Sequence, residues 1–494
     1  MSKMSETDLN TTSTPPSVPR AGLGLAALTA IAVGSMIGSG IFALPSQMAG
    51  SAAPGPLLIG WIITGIGMLT LAFVFQTLAQ RKPDVDGGVY GYAKAGFGNY
   101  IGFTSAFGYW ASAWMGNVAY LVLLFATLGT FVPAFEGGAT LPAIVGASIL
   151  LWIVHLLTLH GVQTAAFVNT IVTIAKVVPI VTFIAMAAVG FKAGLFSADV
   201  WGHHTSIDGE PLGSTVHQIK AMMLVTVWVF IGIEGAAVYS KRASKRSDVG
   251  RSTVLGFLGV LALLLLVNFL SYGLLEQAKL AGLPDPSMAG LMKQQVGSWG
   301  STFISVGLVV SLLGALLAWV MLCAEIMQLP ALDHVMPSFL ARENSHHSPA
   351  GALWLTNGCI QVVLILTLFA ESTYLGLVLL ATSLILLPYL WSAAYQVLLA
   401  ARGETYEGGP GRTRDLVIGG IALVYAIWLV YAGGVEYLLT GAVAYLLGTI
   451  LFVWARREKG LRVFTSAEWF IFGIVAAAAA FGLYGIITGD IEVF

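Results

Sequence analysis

Apolar runs long enough to cross a bilayer recur along this chain between short polar or Gly/Pro loops, and no other feature restricts its fold as much. A helical crossing of the hydrocarbon needs about 20 apolar residues. Runs of that kind fall at about 23–44, 56–80, 100–130, 141–160 and 164–190. They resume at about 215–239, 253–275, 299–327, 352–370, 374–400, 414–432, 435–455 and 467–488, about thirteen in all. Of 494 residues, 57% are hydrophobic and 10% charged, whereas soluble domains carry about 25% charge. That is too little to cover a water-facing surface, which excludes a soluble enzyme. The expected class is an all-α polytopic membrane protein. A net charge of −1 supplies no basic footprint for nucleic acid. Cys323 and Cys359 lie in or beside apolar runs, where a small buried hydrophobe is the expected role.

Basic residues orient the crossings, because Lys and Arg concentrate in cytoplasmic loops while acids are nearly indifferent. With the N-terminus inside, 18 of the 23 bases fall on the cytoplasmic side. Outer loops receive only Lys192, Lys279 and Lys293, with Lys220 at the outer start of the sixth run and Lys176 within the fifth. The expectation is N-in and C-out. Residues 1–20, polar and rich in Ser, Thr and Pro, lack the apolar core of a cleavable signal and read as a disordered cytoplasmic tail.

Two runs carry glycine clusters where a continuous helix should pass: Gly34-Ser35-Met36-Ile37-Gly38-Ser39-Gly40 and Ile231-Gly232-Ile233-Glu234-Gly235. Each glycine costs a helix about 1 kcal/mol relative to Ala. One such cluster could serve close helix packing. Two clusters five runs apart suggest instead an inverted repeat of five crossings, the plan of many secondary transporters. Irregular backbone at this depth is tolerated only where it lines a cavity. A broken helix presents free N–H groups and a positive dipole end, so the expected ligand carries an anionic group.

The stretch Gly34-Ser-Met-Ile-Gly-Ser-Gly-Ile-Phe42 resembles the first-helix signature of the amino acid, polyamine and organocation superfamily. Further matches are Lys82-Pro-Asp-Val-Asp-Gly-Gly-Val-Tyr-Gly-Tyr-Ala93, Tyr109-Trp-Ala-Ser-Ala-Trp-Met-Gly-Asn117 and Trp228-Val-Phe-Ile-Gly-Ile-Glu-Gly235. With Ser240-Lys-Arg-Ala243 and Asp248-Val-Gly250, these resemble the basic amino acid antiporters, most of all the arginine/ornithine antiporters, over about residues 20–490. The resemblance implies a 5+5 inverted-repeat, leucine-transporter-like core at 21–400, followed by helices 11–13 at 401–494. It implies no cofactor and no metal. It implies cationic amino acids as ligands and the plasma membrane as location, and leaves a homodimer as an open expectation. Lysine permeases and histidine/histamine exchangers look similar and stay as alternatives, with proton coupling through Lys176 among them.

By the same resemblance, Ser39 and Gly40 would meet the substrate carboxylate, and Met36 and Ile231 would offer carbonyls to its α-ammonium. Free N–H groups at a helix start do stabilise an anion, and orphan carbonyls before a break a cation. Trp228 and Trp319, near the middle of the sixth and eighth runs, would wall the cationic side chain, with the Ser112-Ala113 backbone and Asn117 as polar contacts. Some relatives have Ala-Cys in place of Ser112-Ala113.

Ionisable groups at bilayer depth cost about 2.5–3.5 kcal/mol on insertion scales, so each suggests a function. Glu234 resembles the family's proton-sensitive gating glutamate, or alternatively accepts hydrogen bonds from the broken helix. Lys176 stands where sodium-coupled relatives bind a cation; it would bind first-helix carbonyls, carry a proton, or act as a fixed ammonium. Tyr109 and Tyr389 match positions near occluding gates, and ordinary packed tyrosines remain the alternative. His155 and His160 lack companions that would argue for metal.

Overall fold

A computed structural model describes residues 24, 25, 29, 33, 34, 36–161, 166–234, 246–369, 374–407 and 411–491. The expected tail at 1–20, Ser35, Gly235 and the Ser240–Ala243 motif lie outside the described residues. The first part of the chain forms α1 (Gly40–Ser51), α2 (Pro54–Arg81), α3 (Val89–Phe97), α4 (Asn99–Gly129), α5 (Leu141–Leu159), α6 (Ala166–Gly190), α7 (Thr215–Trp228) and α8 (Arg246–Tyr272). The remainder forms α9 (Gln277–Ala281), α10 (Ser287–Val296), α11 (Ser298–Leu332), α12 (Ala350–Leu366), α13 (Tyr374–Arg402), α14 (Arg412–Ala432), α15 (Val435–Glu458) and α16 (Ser466–Thr488).

Among the described residues, ten helices are long and apolar enough to cross a membrane: α2, α4, α5, α6, α8, α11, α13, α14, α15 and α16. The chain is an integral membrane protein. Helix α12 is apolar and shorter, with 17 residues. Helices α1 and α7 differ in kind. At 12 and 14 residues they measure about 18 and 21 Å, short of the ~30 Å hydrocarbon. Each belongs to an apolar run that carries a glycine cluster.

The loops hold more order than their polarity suggests. Helices α3, α9 and α10 lie in segments read from sequence only as connections, and the 191–214 loop contains a two-residue antiparallel pairing of Ser206–Ile207 with Glu210–Pro211. Asp208 and Gly209 make its turn with φ of 51° and 88°, a dipeptide suited to such a turn because both positions need positive φ.

Apolar residues surround α4 on every side, and its most apolar stretch is 89% buried against 17% for α16. A helix without a polar face belongs in the interior, and α4 is the axis on which α11 and α13 pack. Helix α5 instead turns Val145, Ile149, Ile153 and Leu156 outward at helical spacing, the pattern of a lipid-facing side.

Charges at the base-rich end are spent on helix ends. Arg81 Nε donates to Asp415 Oδ2 at 2.9 Å, Tyr406 Oη donates to the same oxygen at 3.1 Å, and the Arg81 guanidinium lies 3.7 Å over the Tyr406 ring. Asp415, 1% exposed, sits in the first turn of α14, where the helix dipole favours an anion. Arg412 Nε donates to the Ala400 carbonyl at 2.8 Å near the end of α13. Glu468 starts two helices at once: it forms a capping box with Thr465 on α16 and accepts from the Tyr100 N–H at the beginning of α4 at 2.8 Å. Asp415→Ala is expected to cost about 2 kcal/mol, since it leaves Arg81 and Tyr406 without their acceptor. A lowered melting temperature of the detergent-solubilised protein checks it.

Candidate functional site

The first apolar run loses its helix between Met36 and Gly40. The Ile37 N–H still reaches Val33 O (2.8 Å), but the Gly38 N–H turns to Met36 O (2.9 Å), and helix resumes only at Gly40. The sixth run breaks after Trp228. Residues 229–234 form a succession of tight turns, with Phe230 N–H on Val227 O and Ile231 N–H on Trp228 O, and Gly232 takes φ +105°. A side chain there would be strained.

Trp228 closes the space between the breaks. A Cβ on Gly40 would stand 2.8 Å from Trp228 Cδ1, and one on Gly116 would stand 3.0 Å from Trp228 Cη2. The indole is therefore seated between two backbones that must be glycine. The Tyr120 ring packs against it at 5.9 Å between centroids. Around this seat lies a cavity lined by Met36, Gly38, Gly40, Ser112, Ala113, Gly116, Tyr120, Trp228, Val229, Ile231 and Trp319. Its free volume, about 20 Å³, holds little more than one water. A space of this size must widen to receive a ligand larger than water.

Of the expected substrate residues, Met36, Gly40, Ser112, Ala113, Trp228, Ile231 and Trp319 share this lining. Ser39 and Asn117 do not. The Ser39 hydroxyl lies 3.3 Å from Tyr374 Oη, and Asn117 Nδ2 donates to Cys323 Sγ at 3.8 Å, leaving Asn117 Oδ1 buried without a partner. The free oxygen of Asn117 is a reserve acceptor one turn of α4 away from Ala113. Gly38, Gly116, Tyr120, Val229 and Tyr374 were not singled out from sequence. Gly116 is the fourth residue after Ser112, on the same face of α4, and that spacing was the available signal.

Glu234 stands directly behind the second break. Its carboxylate accepts from Tyr109 Oη (2.8 Å), Tyr389 Oη (3.0 Å) and the Gly232 N–H (3.2 Å). One side chain thereby joins α4, α13 and the turn. The bond from Gly232 is of the kind weighed from sequence as the alternative role, and both expected tyrosines meet the same carboxylate. Lys176, 7% exposed, donates from Nζ to the Gly34 carbonyl at 3.3 Å, tying α6 to the strand of chain before the first break. Glu325 is exposed on α11. His155 bonds Asn357 through Nδ1 at 2.7 Å and packs on Trp354. Among the described residues no group of three His, Cys, Asp or Glu is placed to hold a metal.

Residues 23–454 match the family described as amino acid permease. The arginine/ornithine antiporter of Pseudomonas aeruginosa is 57% identical over 474 residues, covering 94% of this chain and 98% of that protein. The L-lysine transport protein of Corynebacterium glutamicum is 42% identical over 94% of this chain and 95% of its own. The arginine/agmatine antiporter of Chlamydia caviae is 40% identical over 88% and 91%.

Gly40→Val is expected to displace the Trp228 indole, and with it to abolish ligand binding while the protein still assembles. Loss of ligand-induced change in tryptophan fluorescence, with an unchanged elution profile, is the measurement. Glu234→Gln keeps acceptor capacity on one atom only; binding is expected to persist within about threefold while turnover falls, because both tyrosine hydroxyls lose an anionic acceptor and at least one of the three donors is left facing an amide N–H2.

Proposed function

The chain belongs to the amino acid permease family, and on that footing we propose that it is a secondary active transporter exchanging arginine for ornithine across the plasma membrane by alternating access. The observation that carries this reading is the narrow cavity between two helix breaks, with Trp228 and Trp319 in its lining. An antiporter must hold its ligand between its two helix breaks, and this lining supplies glycine backbone and indole faces at that place.

The ligand's carboxylate goes to the start of α1, where the first N–H groups of a helix favour an anion, and the Ser39 hydroxyl would have to leave Tyr374 to reach it. Its α-ammonium goes to the Met36 and Ile231 carbonyls. The side-chain cation lies between Trp228 and Trp319, against the Ser112-Ala113 backbone and Asn117, each indole contributing about 0.5–2 kcal/mol. Among the described residues the cavity lining holds no carboxylate, so the cation is held by ring faces and carbonyls. That suits exchange, since a desolvated salt bridge would slow release. Trading one cation for another leaves the membrane potential undisturbed.

The architecture we propose is the 5+5 inverted repeat at 21–400, its first and sixth members broken, with three further helices at 401–494. Ten long helices among the described residues, with α12 and the two interrupted runs added, would make the thirteen crossings of this reading, N-in and C-out by the distribution of bases. Glu234 with Tyr109 and Tyr389, and Lys176 on the first run, are the elements that would sense or transmit the change of access. A lysine carrier is the second reading, favoured by the 42% identity to the L-lysine transport protein.

Efflux of labelled arginine from proteoliposomes tests the assignment. It is expected to require external arginine or ornithine; efflux into substrate-free buffer would sink it, and a stronger response to lysine would favour the second reading. Trp319→Ala is expected to weaken arginine by about 2- to 30-fold and alanine much less. Equal losses would remove the aromatic wall from the argument.

A further inference from the structure

Helix α4 turns Ser112, Gly116 and Tyr120 to the cavity, four residues apart and therefore along one face. The first of them belongs to the end of the site that takes the side-chain cation. Tyr120 stands two turns further along, where its ring packs on Trp228 at 5.9 Å between centroids. Its hydroxyl reaches the first helix break: a Cβ on Gly38 would lie 3.3 Å from Tyr120 Oη. Gly38 is two residues before the start of α1, the place given above to the ligand's carboxylate.

Tyr120 is 7% exposed, and among the described residues its hydroxyl has no hydrogen-bond partner. A buried tyrosine hydroxyl ordinarily finds one. The other hydroxyls near the two breaks are engaged: Ser39 with Tyr374, and Tyr109 and Tyr389 with Glu234. Tyr120 therefore brings an uncommitted donor into the cavity lining beside the first break. A phenol O–H makes a charge-assisted hydrogen bond to a carboxylate, whose two oxygens have lone pairs to spare beyond those met by a helix start. We propose that Tyr120 is a ligand-binding residue that donates to the substrate's α-carboxylate, and that it thereby selects amino acids over the amines left when that carboxylate is lost. This rests on the transport reading and on its placement of the carboxylate at α1.

Arginine and agmatine separate this contact from every other. Both carry a guanidinium and an amine, so Trp228, Trp319 and the Ser112-Ala113 backbone meet the same groups in either ligand. Agmatine lacks only the carboxylate. It leaves the Tyr120 hydroxyl and the first N–H groups of α1 without an acceptor, and it sets a cation with no neighbouring anion near the positive end of the helix dipole. Were the Tyr120 oxygen instead to accept from the ligand's ammonium, the two ligands would depend on it equally. The Phe side chain makes the comparison clean, because it keeps the ring on Trp228 and breaks no hydrogen bond within the protein.

The test is the affinity of the detergent-solubilised protein for labelled arginine, with agmatine read by competition against it. Tyr120→Phe is expected to weaken arginine about tenfold or more and agmatine by less than about threefold. An unchanged arginine affinity, or equal losses for both ligands, overturns the proposal. Should Tyr120→Phe fail to assemble, Tyr120→Leu decides on the same ratio, since losing the ring from Trp228 burdens both ligands alike; an unmoved ratio overturns the proposal equally. Arginine efflux that needs no external substrate, with the binding ratio shifted as expected, would instead strike the exchange reading alone.

Discussion

Everything about this molecule follows from the difficulty of leaving a helix unfinished inside hydrocarbon. Each free N–H or C=O there costs several kcal/mol, so a break persists only where other groups complete it. Glu234 completes the second break by accepting from its own turn at Gly232 and from tyrosines on α4 and α13. Lys176 completes part of the first by donating to Gly34 O. The site is the space left between two repaired interruptions, and the repairs determine where Trp228 can sit.

The seat of Trp228 links local geometry to ligand choice. Glycine at 40 and 116 lets the indole approach two helices at van der Waals distance. The start of α1, the middle of α4 and the end of α7 are therefore held by one ring. A ligand that parts them must replace those contacts with its own. The ligand proposed above, an amino acid with a long cationic side chain, would do so, because it offers an anion to a helix start and a cation to an aromatic face.

Much of this was legible in the residues. Apolar runs locate α2, α4–α6, α8 and α11–α16 because a bilayer demands length and continuity of any crossing. The glycine clusters mark both breaks because glycine in a helix interior is otherwise selected against on energetic grounds. The cavity residues came from a family resemblance joined to that logic, and seven of the nine line one space. What escaped is non-local. Tyr374 meets Ser39 across 335 positions of sequence, and no periodicity carries such a pairing. Helices α9 and α10 sit in a loop too short and polar to register as elements, yet their Gln277 and Ser287 side chains bond the Ala49 and Ala43 carbonyls of α1.

The cap that Glu468 places on Tyr100 has a consequence for synthesis. Donor and acceptor are 368 residues apart, and at roughly 5–20 residues per second the ribosome takes about 20–70 s to travel between them. For that interval the central helix of the protein stands in the membrane with its beginning unfinished, while α5 to α15 are made in succession. The family match ends at residue 454, and the carboxylate that finishes α4 lies beyond it. Helix α16 is thus the closing stitch of the first half, and the nascent chain cannot attain its final central helix until residue 468 has been made.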